Sequence, residues 1–398
     1  MNWRDYPPRT VNRGGTPDPR EVVGREEVVS QMWRALEKQS VLLTAERRVG
    51  KTSVLLLMED RPEPDTLVFR RDLEGVRTPV EFVERVLQDI SANLSAKQRT
   101  AGWFQKTWKA IGGTEVGGII KLPEAQTAHW KTGLERVILD LVTNQEKRVV
   151  FLWDELPLML DNIVQRSDEQ SAMEVLDTLR ALRQQHPARL RMVYTGSIGL
   201  HHVLAALRRA RYGNAPTNDM LPRDLGALGQ DAAWGLAWSL LQGHQLVADD
   251  PEAVVQRIAE LVDNLPFYIQ HVVGKLSDSG GKVTPAAVDS AVVELLIDAN
   301  DPWEMRNYRK RIDKYYIEAH RPFALGMLDA LSIAPEPLEF TDLVNLLRHA
   351  TITQDDETAR DVLDLLQQDH YVMVESGTGF RFRFGIVGRA WRTLRRLR

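Results

Sequence analysis

The sequence predicts an α/β fold, a parallel sheet with helices on both faces. A helical region follows, then a C-terminal region of three helices and a hairpin. Three observations predict it. Apolar strand-like runs recur at 40–44, 66–72, 148–153 and 190–195, with helical patterns between them. Gly50-Lys51-Thr52 stands where the first run gives way to a helix. The third run ends in Asp154-Glu155. Strands alternating with helices make a parallel sheet, and ligands then sit at the carboxyl ends of the strands.

Residues 1–20 are rich in Arg, Pro and Gly, carry Trp3 and Tyr6, and read as a flexible arm that could order against a neighbour. Val22-Val23-Gly24-Arg25-Glu26 comes next, before a helix whose Val28, Val29, Met32, Trp33 and Leu36 share one face and belong to the core. The first strand leads into Ala45-Glu46-Arg47-Arg48-Val49-Gly50-Lys51-Thr52. This octet follows the phosphate-loop pattern Gly-x4-Gly-Lys-Ser/Thr, with Ala45 in place of the first Gly. Backbone N–H groups from Arg48, Val49 and Gly50 into Ser53 would wrap phosphates at the helix start. Lys51 would add a point charge, and the Thr52 hydroxyl would hold Mg2+. A Cβ at Ala45 tolerates positive φ poorly, so the departure bears on loop geometry. The alternative is a chance tripeptide at a helix start.

The strand at 66–72 leads into Thr78-Pro79, a cap followed by a helix-opening proline. Residues 97–122 then interrupt the domain. Trp103, Phe104, Trp108 and Ile111 alternate with Lys106 and Lys109, and a strand-like Ile119-Ile120-Lys121-Leu122 follows. This insert reads as packing of its own or as a hairpin that docks a partner or DNA.

Asp154 would hold Mg2+, and Glu155 would polarise an attacking water as general base. Both carboxylates together point to hydrolysis rather than binding alone. The strand at 190–195 ends in Gly196-Ser197-Ile198-Gly199, which is not a Gly-x-Ser-x-Gly nucleophile turn. Thr195 or Ser197 could sense a γ-phosphate there, or Ser197 could simply cap a helix.

Taken together, Val-Gly-Arg-Glu, Arg-Arg-Val-Gly-Lys-Thr-Ser, Asp-Glu-Leu-Pro and Thr-Gly-Ser-Ile-Gly resemble the archaeal-type ATPases of the STAND and AAA+ group, relatives of the origin-recognition initiators. The resemblance runs over residues 21–398. It implies a P-loop ATPase of the ASCE class using ATP and Mg2+, with Glu155 catalytic, Asp154 on the metal, and Val23, Gly24 and Arg25 beside the adenine. It also implies a helical lid with a Gly-x-Pro motif at its base. Here Asn264-Leu265-Pro266 stands in that place, so Pro266 alone carries over, and no arginine beside it could act as a lid sensor. Many relatives act in stress or antiviral defence, so that setting is implied by resemblance alone.

The lid and its linker would span 226–320, with helices at 232–241, 254–261 and 285–297. Arg208, Arg209 and Arg211 end a helix before it, either as a solvated face or as arginines offered to a neighbouring copy. Arg47 and Arg48 would touch nucleotide, lid or neighbour. Residues 321–398 read as helices at 323–331, 340–347 and 357–368, then a hairpin around Gly377-Thr378-Gly379, which is the pattern of a winged helix. Its third helix is acidic: segment 355–370 holds six carboxylates against Arg360, and would repel phosphates in a major groove. The tail is the reverse. Arg381, Arg383, Arg389, Arg392 and Arg396 could grip a double-stranded DNA backbone without reading bases, or meet an acidic protein surface.

The totals narrow the classes further. In 398 residues there is no cysteine, which excludes disulfides, thiolate zinc sites and cysteine nucleophiles. Net charge is −4, so any basic surface is local. No run of 18 apolar residues and no signal-peptide core occur, so a cytoplasmic protein without a membrane partner is expected. The leading expectation is an ATP-driven switch that forms homo-oligomers or recruits a separate effector protein. The alternatives are a winged-helix regulator of DNA and a scaffold with structural nucleotide.

Overall fold

The computed structural model describes residues 2–94, 114–116, 119–121, 129–196, 199–209, 212–352, 355–375 and 379–397. They divide into two compact units: Arg25–Thr44 with Lys51–Leu225, and Met1–Gly24 with Ala45–Gly50 and Gly226–Arg398.

The first of these is an α/β unit. Its order is α1 (Glu26–Lys38), β1 (Val41–Thr44), α2 (Lys51–Asp60), β2 (Thr66–Asp72), α3 (Pro79–Asn93), the short pair β3 (Thr114–Val116) and β4 (Ile119–Lys121), α4 (Trp130–Asn144), β5 (Arg148–Asp154), α5 (Leu156–Arg166), α6 (Glu169–Gln185), β6 (Leu190–Thr195), α7 (Leu200–Arg209) and β7 (Leu221–Asp224). Five strands form one sheet in the order β2-β5-β6-β1-β7, all parallel. The strand carrying Asp154 is thus separated from the phosphate-loop strand by β6. All four strands expected from sequence are present, and β7 is additional. Pro222 and the polar Arg223-Asp224 hide it from pattern reading, and an edge strand tolerates both because it pairs on one side only, with β1. Of the expected insert, only the β3–β4 hairpin backbone lies among the described residues; the aromatics at 103–111 lie outside them.

β6 is buried throughout and β5 from Val149 onward, as a sheet covered on both faces requires. Phe69 stacks on Phe151 at 5.2 Å between ring centroids, Phe151 on Trp153 at 4.9 Å, and Trp153 on Tyr194 at 5.9 Å. This aromatic layer crosses three strands just behind their carboxyl ends and fixes the sheet that carries the site. Burial pushes the Tyr194 hydroxyl up to about 12. It stays neutral and accepts from Arg183 Nη1 at 2.6 Å, while Arg183 pairs with Asp219 at 2.8 Å.

The second unit is helical: α8 (Gln230–Gly243), α9 (Pro251–Leu261), α10 (Pro266–Ser279), α11 (Pro285–Ile297), α12 (Arg306–Tyr315), α13 (Arg321–Ile333), α14 (Phe340–His349), α15 (Asp356–Gln368), the hairpin β8 (Val372–Glu375) and β9 (Gly379–Phe382), and α16 (Gly385–Arg395). The expected three helices and hairpin are α13 to β9. Leu338 adds a bridge to the hairpin, exchanging N–H···O bonds with Phe380 at 3.0 and 2.7 Å. Asp263 lies far back in sequence yet accepts from Ile386 N at 2.6 Å, satisfying an open amide at the start of α16. The segment read as a flexible arm is instead ordered within this unit. Its 3-10 turn Trp3–Asp5 buries Trp3 between Trp234 and Trp238 of α8.

Candidate functional site

The carboxyl ends of the parallel strands bring the expected catalytic and metal residues together in the α/β unit. Lys51, Thr52 and Ser53 form the first turn of α2. Asp154 ends β5, and Thr195 ends β6 next to it. The Thr52 hydroxyl donates to Asp154 Oδ2 at 2.6 Å. Asp154 is buried, and burial raises its carboxyl above the usual range, against the hydrogen bond from Thr52 and the positive charge of Lys51.

Such a hydroxyl–carboxylate pair is a hard-oxygen donor set, and Mg2+ takes hard oxygens from one or two side chains and fills the remainder with water and phosphate. A dication there would also favour the ionised form that burial opposes. Thr52 and Asp154 therefore fit the ion the sequence implied.

Glu155 follows Asp154 with φ 56°, in the left-handed region, just before α5 begins at Leu156. For a residue with a Cβ this costs on the order of 1–3 kcal/mol, and such backbone strain clusters at functional sites. The kink ends β5 sharply and turns the Glu155 carboxylate toward the end of β6. A Cβ on Gly196 would lie 3.5 Å from Glu155 Oε2 and would collide with the Pro157 ring. Thr195 is 1% exposed, and its hydroxyl has no hydrogen-bond partner among the described residues. A buried hydroxyl left unsatisfied costs about 1–3 kcal/mol, so an oxygen-rich ligand at the strand ends would repay that defect. Ser197, the alternative sensor, lies outside the described residues.

Sequence reasoning missed Asp72. It ends β2, faces Asp154 in the strand register, and its charge opposes ionisation of Asp154. The signal was available, because that strand also ends in an aspartate. Arg25 is buried, and burial brings its guanidinium down to about 10. Arg208 and Arg209 are exposed in the last turn of α7, while Arg211 lies outside the described residues.

Val23, Gly24, Arg48, Val49, Gly50 and Pro266 belong to the helical unit. Gly24 has φ 67°, and a Cβ there would collide with Ala232 of α8. Val23 and Val49 are buried. The expected strain at Ala45 does not occur. Positive φ falls on Arg48 (67°) and Gly50 (109°), and Ala45 needs none, so the missing glycine leaves the loop backbone unhindered. Arg47 and Arg48 both pair with Glu304, Arg47 at 2.9 Å, and the Arg48 guanidinium lies 4.4 Å from the Phe267 ring centre. Both arginines thus meet Glu304, which lies in the segment 226–320 expected as lid and linker. Nothing in the sequence marked Glu304. Pro266 opens α10, and Asn264 before it has φ 57°. Asparagine is among the few residues that enter this conformation readily, so it stands in for glycine here at little cost.

The tail arginines are largely engaged. Arg381 pairs with Glu375 at 3.1 Å, Arg383 bonds to His370, and Arg389 donates to the Leu261 carbonyl. Arg392 and Arg396 are exposed, and Arg396 has left the helix with φ 55°, so Arg389, Arg392 and Arg396 form no stripe along one helix.

No protein-family model and no curated protein matches this chain. Solved structures do. A Walker-type ATPase of Pyrococcus abyssi is similar over 98% of this chain and 99% of its own, with TM-score 0.61 and 16% identity. The ORC2 protein of Aeropyrum pernix, solved in ADPNP and ADP complexes, is similar over 98% and 94%, with TM-score 0.52 and 11% identity. The fold is that of the P-loop ATPases. At such identity the likeness speaks for architecture, and the chemistry rests on the residues above.

Proposed function

We propose that this protein binds ATP with Mg2+ and hydrolyses it slowly, as a molecular switch. The observation that carries the reading is the Thr52–Asp154 pair, 2.6 Å apart at the strand ends, with Lys51 buried beside Thr52 in sequence and the Thr195 hydroxyl without a partner among the described residues. In this reading the start of α2 receives the phosphates on its backbone N–H groups, and Lys51 neutralises their charge. Thr52 and Asp154 would hold the metal, which when bound would supply positive charge against the phosphates. Glu155 accepts a proton from the attacking water. Thr195 donates its hydroxyl to the γ-phosphate or that water, and loses this partner once the phosphate leaves. Val23, Gly24 and Arg25 border the adenine.

The output we propose is assembly with further copies or recruitment of a separate effector. The bridge from Leu338, the β8–β9 hairpin and helices α13–α15 support a winged-helix reading of the C-terminal region. Its acidic α15 and engaged arginines favour a protein partner over DNA. The defence setting rests on resemblance alone.

The test measures turnover and particle mass together, with and without Mg2+ and double-stranded DNA. The reading expects Mg2+-dependent hydrolysis that Lys51→Ala and Asp154→Asn abolish, and a mass that changes with bound ATP. DNA-stimulated turnover would move the output onto nucleic acid. Retained nucleotide with no turnover under any condition would leave a scaffold.

A further inference from the structure

The N-terminal segment makes more specific contacts than a linker needs. It runs along α8 in the same direction as the helix and then crosses to α10. Trp3 meets Trp238 edge-on at 5.6 Å and Trp234 at 6.2 Å. Arg4 covers the Trp3 ring at 4.6 Å and pairs with Glu252 at 3.2 Å. The Tyr6 ring lies where Gly235 has no side chain, and the Arg9 carbonyl lies over Gly243, so a Cβ at either glycine would collide with the segment.

Polar contacts read the backbone. The fully buried Ser239 donates its hydroxyl to the Pro7 carbonyl and accepts from Arg9 Nη1 at 3.1 Å, while its carbonyl accepts from Arg9 N at 2.9 Å. His244 Nε2 accepts from Val11 N at 3.1 Å, Gln270 accepts from Asn12 N at 2.6 Å, and His271 Nε2 donates to the Arg13 carbonyl at 2.9 Å. Arg13 closes the run on Asp278 at 2.6 Å. A tryptophan pocket, two glycines cut away for the ligand, and side chains bonded to successive main-chain groups are the parts of a peptide-recognition groove.

We propose that the α8–α10 face is a peptide-binding site whose ligand is the chain's own residues 2–13, held in cis as a strap. Tethering supplies an effective concentration on the order of millimolar, so the strap stays seated even where the free peptide binds modestly. The strap continues through 14–22 to Gly24, which packs on Ala232 at the other end of α8.

The experiment places a protease site in the exposed 14–16 stretch of the full chain, which folds intact and is then cut. The freed peptide is diluted away, and a synthetic peptide of residues 1–15 is titrated back. The account expects saturable one-to-one binding, weakened about tenfold or more (about 1.4 kcal/mol) by Trp3→Ala, which removes the buried anchor, or by Arg9→Ala, which removes the bond to Ser239. Cut protein that stays folded and binds no peptide overturns the site.

Discussion

The two units treat their charges in opposite ways. At the strand ends of the α/β unit, polar groups are left with capacity to spare. Thr195 keeps an unpartnered hydroxyl among the described residues, Asp154 is buried with its carboxyl raised, and Asp72 opposes it. In the helical unit, several charges are taken up by the fold itself. Arg311 and the Tyr316 hydroxyl both close on buried Asp369, Trp391 and Arg395 share Asp329, and Arg389 caps a carbonyl. The difference teaches where to look for chemistry. Unspent, strained polar groups mark a place kept for a ligand, and saturated ones mark structure. A count of arginines in the tail points the other way and misleads.

The comparison can be broken by mutation. The largest effect should come from Lys51→Ala, which removes the positive charge that meets the phosphates: nucleotide binding by titration calorimetry falls below detection, while thermal unfolding without nucleotide shifts little. Next, Asp369→Ala should cost about 3–5 kcal/mol of stability in denaturant unfolding, because it strands Arg311 as a buried unpaired charge. Turnover per folded molecule should hold. Equal effects of the two variants on both readouts would erase the distinction.

Thr195→Val is a sharper test. Removing a hydroxyl that has no partner should leave stability unchanged or raise it, whereas turnover should fall about tenfold if that hydroxyl meets the reacting phosphate. A loss of stability with normal turnover would make Thr195 structural.

Smallest is a pH effect in the strap. Burial holds the His271 ring below its usual 6.5, with Arg13 and Arg48 opposing its charge and Glu304 favouring it. The unfolded chain takes up a proton near 6.5 and the folded one at lower pH. Stability from the neutral ring is thus full above 6.5 and declines as pH falls below it, with a slope no steeper than about 1.4 kcal/mol per pH unit. His271→Gln should flatten that slope in unfolding curves between pH 7.5 and 5; an unaltered slope assigns it elsewhere.

Much of the site was legible because its chemistry is local. Gly50-Lys51-Thr52 and Asp154-Glu155 are short strings at the ends of apolar runs, and four of five sheet strands carry the pattern that buried strands need. What stayed hidden is long-range. β7 is disguised by Pro222, and Glu304 is an isolated acid in a turn. The strap looks like a linker because Pro, Gly and Arg dominate it, yet its partners lie on helices more than 200 residues away, as Arg9 with Ser239 shows. Backbone accommodation is invisible for the same reason. Ala45 suggested strain that the fold moved to Arg48.

The central claim is that the strand-end groups hydrolyse nucleotide, and bound-nucleotide analysis tests it most directly. Wild type and Glu155→Gln are incubated with ATP and Mg2+, separated from free nucleotide, denatured, and their contents resolved by chromatography. The account predicts ADP from wild type and intact ATP from Glu155→Gln, at equal occupancy. ATP recovered unchanged from both, or ADP from both at the same rate, would contradict it.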